Sequence, residues 1–265
     1  MATYFEVRIA DEEKTYAAQT AQAALDLLDK LESHLSRFRA NSEIAQIAGL
    51  QPGEKLRLSE PVFACLEVAK KIELATLGAF SVTAAALQTQ DSLPQWSLIP
   101  GEFGIQCVSG RLQFDLGAIG KGFALDRMAE LLRAWDCHSF LLVAGGSSIL
   151  AGDAPPDSAG WSCGVGDDNA QQRFLLAHTS LSGSGLAVKG NHILDPRTGQ
   201  PALRQNRAWA LANTAAESDA LSTACMVLSE PETEQVLAHD PTWLFFLESN
   251  GTALPKGRRA LPLQA

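Results

Sequence analysis

The sequence predicts an α+β fold, with mixed sheets and flanking helices. Two observations carry that prediction. Helix-period and strand-period segments are interleaved along the chain, with no clean βαβ alternation and no internal repeat. The apolar fraction of 46% and charged fraction of 19% are those of an ordinary globular chain. At 265 residues, length alone fits one large domain or two small ones.

Taken in order, Tyr4–Ile9 alternates apolar and polar residues and reads as a half-buried strand. Thr15–Phe38 follows as a helix, with Ala24, Leu27, Leu28, Leu31 and Leu35 on one face. Asn41-Ser42-Glu43 caps a short helix running through Ala48, and a Pro52-Gly53 turn leads to a short strand at Leu56–Leu58. Ser59 reads as the N-cap of a further helix, with Pro61 near its start and Phe63, Leu66, Ala69 and Leu74 as apolar positions. Gln88–Gly104 reads as an irregular loop. Two short strands at Gly104–Val108 and Arg111–Phe114 are expected to meet across Ser109-Gly110.

Asp115 ends the second of these strands, and Ala118–Trp135 is a helix entered through Gly120 and Gly122. Ser139–Val143 is a continuous apolar run, the pattern of a strand buried on both faces, and it ends at Ala144-Gly145-Gly146. Further strands are expected at Trp161–Val165, Arg173–Ala177, Arg207–Leu211 and Trp243–Leu247, and a helix at Asp219–Leu228 that Ser229 and Pro231 terminate. Ser180–Gly185, small and polar, reads either as a flexible loop or as backbone passing close to a ring.

Charge narrows the partners. A net charge of −9 without any basic run argues against nucleic acid and anionic lipid, since Lys70-Lys71 and Arg258-Arg259 are only pairs. An anionic ligand would need local compensation from a cation, a lysine or a helix N-terminus. The five cysteines have no CxxC spacing, and no stretch approaches the roughly 20 apolar residues that span a bilayer. The N-terminus has neither a basic segment nor an apolar one, so a cytoplasmic protein with reduced thiols is expected.

Three segments carry chemistry. Asp115–Gly122 (DLGAIGKG) joins a strand to a helix with three glycines, so its backbone can approach an anion closely, with Lys121 adding charge and Asp115 an acceptor. The glycine spacing fits neither the dinucleotide fingerprint nor a P-loop, and an ordinary strand-to-helix turn explains the same residues. Asp219 and Thr223 stand four apart on one helix face and offer the hard oxygen ligands that suit magnesium. An Asp in a first helical turn also simply favours the helix dipole. His192–Gly199 ends a short apolar run in a turn; Asp195 is near enough in sequence to orient His192, which suits a general base, a phosphate contact or a purely structural histidine. Val143–Ser148 and its Gly-Gly pair mark either backbone meeting ligand or ordinary close packing.

In order, DLGAIGKGFALD, LLVAGGSSI, HILDPRTG and ESDALSTACMVL closely resemble the signature set of the ApbE-type FAD:protein FMN transferases. The N-terminal half adds the opening Met1–Phe5, the Leu35–Glu43 helix end and Gly78–Thr83, so the resemblance spans nearly the whole chain. It implies a single ApbE-like domain over 1–265, related to T-fold architectures. It also implies an enzyme that splits FAD between its phosphates, attaches FMN by a phosphoester to a Thr or Ser of an acceptor protein, and releases AMP.

By the same resemblance, the Ala118 carbonyl, Asp219 and Thr223 hold Mg²⁺. Asp115, Lys121 and Ile193 line the FAD site, Phe38 packs on a ring of FAD, and Phe80, Ser81 and Val82 contribute backbone contacts. His192, with Asp219 and Lys121, forms the catalytic set and activates the acceptor hydroxyl. The chain departs from the family pattern at Ser147, where Asp is common after Gly-Gly, and at Ser81, which is also usually Asp. The segment between Thr83 and Phe103 is short and lacks the typical helix, and the chain shows neither the signal peptide nor the lipobox cysteine of exported members. The same site would serve an FAD pyrophosphatase with water as acceptor, or a binding protein that kept the fold without turnover.

Overall fold

The computed structural model describes residues 3–166, 172–186, 193–249 and 251–264. In chain order the elements are β1 (Phe5–Ile9), α1 (Lys14–Leu35), α2 (Glu43–Ile47), β2 (Lys55–Arg57), α3 (Glu60–Ala75), β3 (Gln95–Ile99), β4 (Gly104–Ser109) and α4 (Gly120–Ala134). They continue as β5 (Phe140–Ala144), β6 (Ser148–Ala151), β7 (Trp161–Val165), β8 (Gln172–Leu176), β9 (Thr179–Gly185) and β10 (Arg207–Ala212). The chain then runs through α5 (Ala215–Cys225), α6 (Glu230–His239), β11 (Leu244–Ser249), β12 (Thr252–Lys256) and β13 (Leu263–Gln264).

Seven strands form one sheet in the order β1-β5-β6-β9-β10-β11-β12, and two three-stranded sheets have the orders β13-β8-β7 and β2-β4-β3. The α+β class holds. The sheets are not mixed in direction, however: every pairing among the described strands is antiparallel. None of the inserted helices serves as a crossover between parallel neighbours, so nothing imposes parallel pairing.

The large sheet is covered on both faces. On β5, Phe140, Leu142 and Ala144 pack with Leu125, Met128 and Leu132 of α4 and Ala24 of α1. The alternate residue Leu141 packs the other way, with Phe174 and Leu176 of β8 and Phe246 of β11. A strand buried on both faces reads as an unbroken apolar run, which is why Ser139–Val143 was legible.

Several expectations are corrected. Arg111–Phe114 pairs with no strand among the described residues; its alternation is real, because Leu112 and Phe114 are buried, but the Arg111 backbone is satisfied by the Gln90 side chain. The loop expected over Gln88–Gly104 contains β3, held by Trp96, which packs edge-on against Phe114. Leu74, expected on the buried face of α3, is exposed, and Ile72 takes its place. Ser229 does not merely end a helix. It opens α6 through a capping box with Glu232.

Ser180–Gly185 is not a flexible loop: it belongs to β9, the central strand of the seven. Ser180, Ser182 and Ser184 share the face toward α5, whereas a Cβ on Gly183 would come within 2.7 Å of the Trp209 ring. Small polar residues suit this strand because α5 lies close on one side and an indole lies on the other.

Candidate active site

Asp115 sits where the chain turns toward α4. Its N–H donates to the Val82 carbonyl (2.7 Å), and its Oδ1 accepts the Gly117 N–H (2.9 Å). This Asx turn aims the backbone into the first turn of α4. Asp115 Oδ2 lies 3.4 Å from the Arg37 guanidinium, which in turn stacks 4.6 Å from the centroid of Phe38. Phe38 is 82% exposed, a large ring left open to solvent beside a charged pair.

The second half of the cluster comes from α5, which begins four residues earlier than its sequence suggests, with Thr214 as N-cap. Asp219 therefore lies in the second turn rather than the first, and a plain helix-dipole role does not account for it. It is 2% exposed, and three donors converge on its carboxylate. Oδ1 accepts from Lys121 Nζ at 2.8 Å and from the Ser148 hydroxyl at 3.1 Å; Oδ2 accepts the Gly122 N–H at 3.1 Å. A buried carboxylate left without such partners would be costly.

The Gly122 bond has a second consequence. Gly122 is the third residue of α4, so its N–H is one of the first-turn donors that have no partner within the helix. Asp219 accepts it and so caps α4 from a neighbouring helix, with Ala118 in the turn just ahead of the helix start. One turn beyond Asp219, the Thr223 hydroxyl is in reach of Ser184 Oγ (3.1 Å). A carboxylate, a hydroxyl and a backbone carbonyl are hard oxygen donors and fit Mg²⁺ by their chemistry. Among the described residues, no group of three His, Cys, Asp or Glu gathers as an alternative metal site.

A layer of serines supports the cluster. Ser180 and Ser182 reach Ser218 at 2.7 and 2.9 Å, and Ser184 reaches Ser222 at 2.9 Å. Side chains this small let α5 lie close to β9 while every hydroxyl keeps a partner.

The remaining expected residues divide. Phe80 and Val82 are each 2% exposed, with the Phe80 N–H given to Thr76 and the Val82 carbonyl to Asp115, while the Ser81 hydroxyl is part-buried and bonded to Thr83. Ile193 is buried, and His192 lies outside the described residues. Asp195, expected to orient His192, gives both carboxylate oxygens to the Arg197 guanidinium at 2.9 Å each. An adjacent guanidinium is the stronger partner because it offers a bidentate, charged fork. The Ser147 side chain plays no part in the Asp219 cluster; the carbonyl of Ser147 accepts the Gly183 N–H. The neighbouring Ser148, which sequence reasoning did not single out, reaches Asp219 instead.

A recess of about 520 Å³ lined by Lys55, Arg57 and Phe103 contains none of these residues. A smaller one of about 200 Å³ includes Arg37, Gln113 and Phe114, beside Asp115.

Arg197 also bonds Glu232 on α6 at 2.5 Å. The Ser229 N–H and hydroxyl, with Arg197, draw the Glu232 carboxyl down to about 2, below its ordinary value of 4.5. Because the folded value is the lower one, this stabilisation is complete above about pH 4.5 and is lost as pH falls toward 2. Thermal midpoints should fall across that window, and Glu232→Gln should flatten part of the fall. An unchanged slope in the variant would remove this cluster from the acid response.

Residues 1–99 and 92–245 match the model of the ApbE family. The chain belongs to the ApbE family. A protein named FAD:protein FMN transferase from Klebsiella pneumoniae (strain 342) is 23% identical, over 95% of this chain and 83% of its own length. One of the same name from Treponema pallidum (strain Nichols) is 30% identical over 158 residues, covering 52% of this chain and 44% of its own. Among solved structures, the flavin transferase ApbE from Vibrio cholerae superposes with a TM-score of 0.79 at 18% identity, covering 97% of this chain and 94% of that one. The apo form of the Pseudomonas stutzeri flavinyl transferase ApbE gives 0.78 at 19%, covering 96% and 94%. At these identities the structures establish the shared fold.

Proposed function

We propose that this ApbE-family chain is a Mg²⁺-dependent FAD:protein FMN transferase, acting as a single domain over residues 1–265. The observation that carries the reading is the convergence of Lys121, Gly122 and Ser148 on the buried Asp219, one helical turn from Thr223. The names of the curated relatives give the reaction. The one-domain reading is supported by a core cluster that draws residues from Leu31 to Phe245.

In the proposed site the Ala118 carbonyl, Asp219 and Thr223 hold Mg²⁺, which when bound offsets the diphosphate charge as a Lewis acid. Lys121 supplies a second positive charge, which an acidic protein needs in order to bind a diphosphate. Asp115 and Ile193 border FAD, Phe38 offers its exposed ring for stacking, and Phe80, Ser81 and Val82 offer backbone. His192 takes the proton from the acceptor Thr or Ser hydroxyl as its oxygen attacks the phosphorus of the FMN half. The bond to the AMP phosphate breaks, FMN is joined to the acceptor by a phosphoester, and AMP leaves.

No helix among the described residues is long and apolar enough to cross a membrane. A cytoplasmic location is supported by five buried thiols, none of them in a disulfide, as expected in a reducing compartment.

Incubation with FAD and Mg²⁺, with and without an acceptor domain, tests the reading through AMP release and covalent flavin fluorescence on a denaturing gel. Labelled acceptor with stoichiometric AMP supports it. AMP alone would indicate hydrolysis, and tight binding without AMP a binding protein. His192→Ala should leave FAD affinity unchanged and slow transfer by about 10²- to 10⁴-fold, the usual contribution of a general base. Unaltered transfer would remove His192 from the mechanism.

A further inference from the structure

Asp126 lies at the end of the DLGAIGKGFALD segment and has no part in the site described above. Its Oδ1 accepts the Ala215 N–H at 2.7 Å and its Oδ2 the Ala216 N–H at 2.8 Å. These are the first two residues of α5, whose N–H groups have no partner within their own helix. Thr214 caps the next ones, its hydroxyl accepting from Glu217 and its carbonyl from Ser218. A carboxylate from a different helix thus completes the N-terminus of α5.

The arrangement is reciprocal. Asp126 of α4 caps the first turn of α5, and Asp219 of α5 accepts the Gly122 N–H in the first turn of α4. Gly122 and Asp126 are four residues apart on one face of α4, so both ends of the clamp press on the same contact. The two bonds differ in what function asks of them. In the proposed site Asp219 would also serve as a Mg²⁺ ligand, so its carboxylate would be shared between the metal and α4. Asp126 has no such competing duty. Burial is the larger influence on its carboxyl and pushes it up to about 7, against the pull of the two N–H groups.

We propose that Asp126 is a positioning residue that keeps α4 and α5 in register, so that Lys121 and the turn into α4 stay beside Asp219, one helical turn from Thr223, when Asp219 shares its carboxylate with a metal. This rests on the functional reading above. Its signature is a changed metal requirement rather than a changed fold.

The test compares Asp126→Ala, Asp126→Asn and Thr214→Ala by Mg²⁺-dependent quenching of FAD fluorescence without acceptor, alongside thermal melts. Asp126→Ala should raise the Mg²⁺ needed for half-saturation about 10- to 100-fold, the range for groups that orient metal ligands. Asp126→Asn keeps one acceptor oxygen and should fall between the wild type and alanine, and it carries the test should the alanine variant not fold. Thr214→Ala loosens the same helix end without touching the contact between the helices, and should stay within about twofold of wild type. An unshifted requirement in folded Asp126 variants, or an equal shift in Thr214→Ala, would overturn the positioning role while leaving the functional reading intact. A wild-type protein that binds neither Mg²⁺ nor FAD would overturn both.

Discussion

Asp219→Ala should abolish metal-dependent turnover, with AMP release falling by about three orders of magnitude or more. A metal supplies several kcal/mol of charge stabilisation, and Asp219 is the single carboxylate in the proposed donor set. The same substitution strips the buried Ser148 hydroxyl and the Gly122 N–H of their shared acceptor. That should cost roughly 1–3 kcal/mol of stability for each group left unsatisfied. Lys121 keeps 21% of its side chain exposed and can turn toward water, which limits the damage from its lost partner.

Asp219→Asn separates the two effects. It keeps the shape but only one acceptor oxygen, so its amide NH2 faces one of the donors and its melt should fall, though by less than that of the alanine variant, while turnover is still lost. Full AMP release in the alanine variant, followed by chromatography at saturating Mg²⁺, would sink the magnesium assignment.

Gly122→Ala should be the most damaging change of a single methyl group. An added Cβ would lie 1.9 Å from the Ala215 carbonyl oxygen and 2.7 Å from the Ala216 nitrogen. Both are backbone atoms, so no side chain can rotate away, and α4 and α5 must separate. Separation breaks the Asp219–Gly122 bond and stretches both Asp126 bonds at once. Alanine is the better helix former by about 1 kcal/mol, but overpacking and the lost bonds outweigh that gain. A net loss of about 3 kcal/mol would lower the melting midpoint by roughly 6–12 °C in a chain of this size. Mg²⁺ and FAD affinity should fall with it. Gly101→Ala is the control, because nothing lies within 4 Å of its added Cβ. A Gly122→Ala protein as stable and active as wild type would refute the close approach of the two helices.

Much of the framework was legible because its signals are local. The stripe Ala24, Leu31, Leu35 marks the buried face of α1 at the helical period, and Phe140–Val143 marks a strand buried on both sides. Ser229 shows the limit of such signals. Read by itself with Pro231 it ends one helix, while three residues further on Glu232 makes it the start of another. Likewise β9 was hidden because Ser and Gly are turn residues in isolation. They form a central strand here only because α5 and Trp209 demand small neighbours.

The opening expectation of an α+β fold stands, and its mixed sheets give way to antiparallel ones. By itself the sequence determined the family, through four motifs in order, and it singled out Asp115, Lys121, Asp219 and Thr223 as candidate site residues. Tertiary structure alone decided what those residues touch. It buried Asp219 in the second turn of α5, brought Ser148 to it, gave Asp195 to Arg197, and made Asp126 the partner of a helix end 89 residues away. The physical reason is one of range. Periodicity and capping act over a few residues and are written in neighbouring letters. The partner of a buried carboxylate is set by how closely two helices pack, and that depends on a missing Cβ at Gly122 and on small side chains across the sheet.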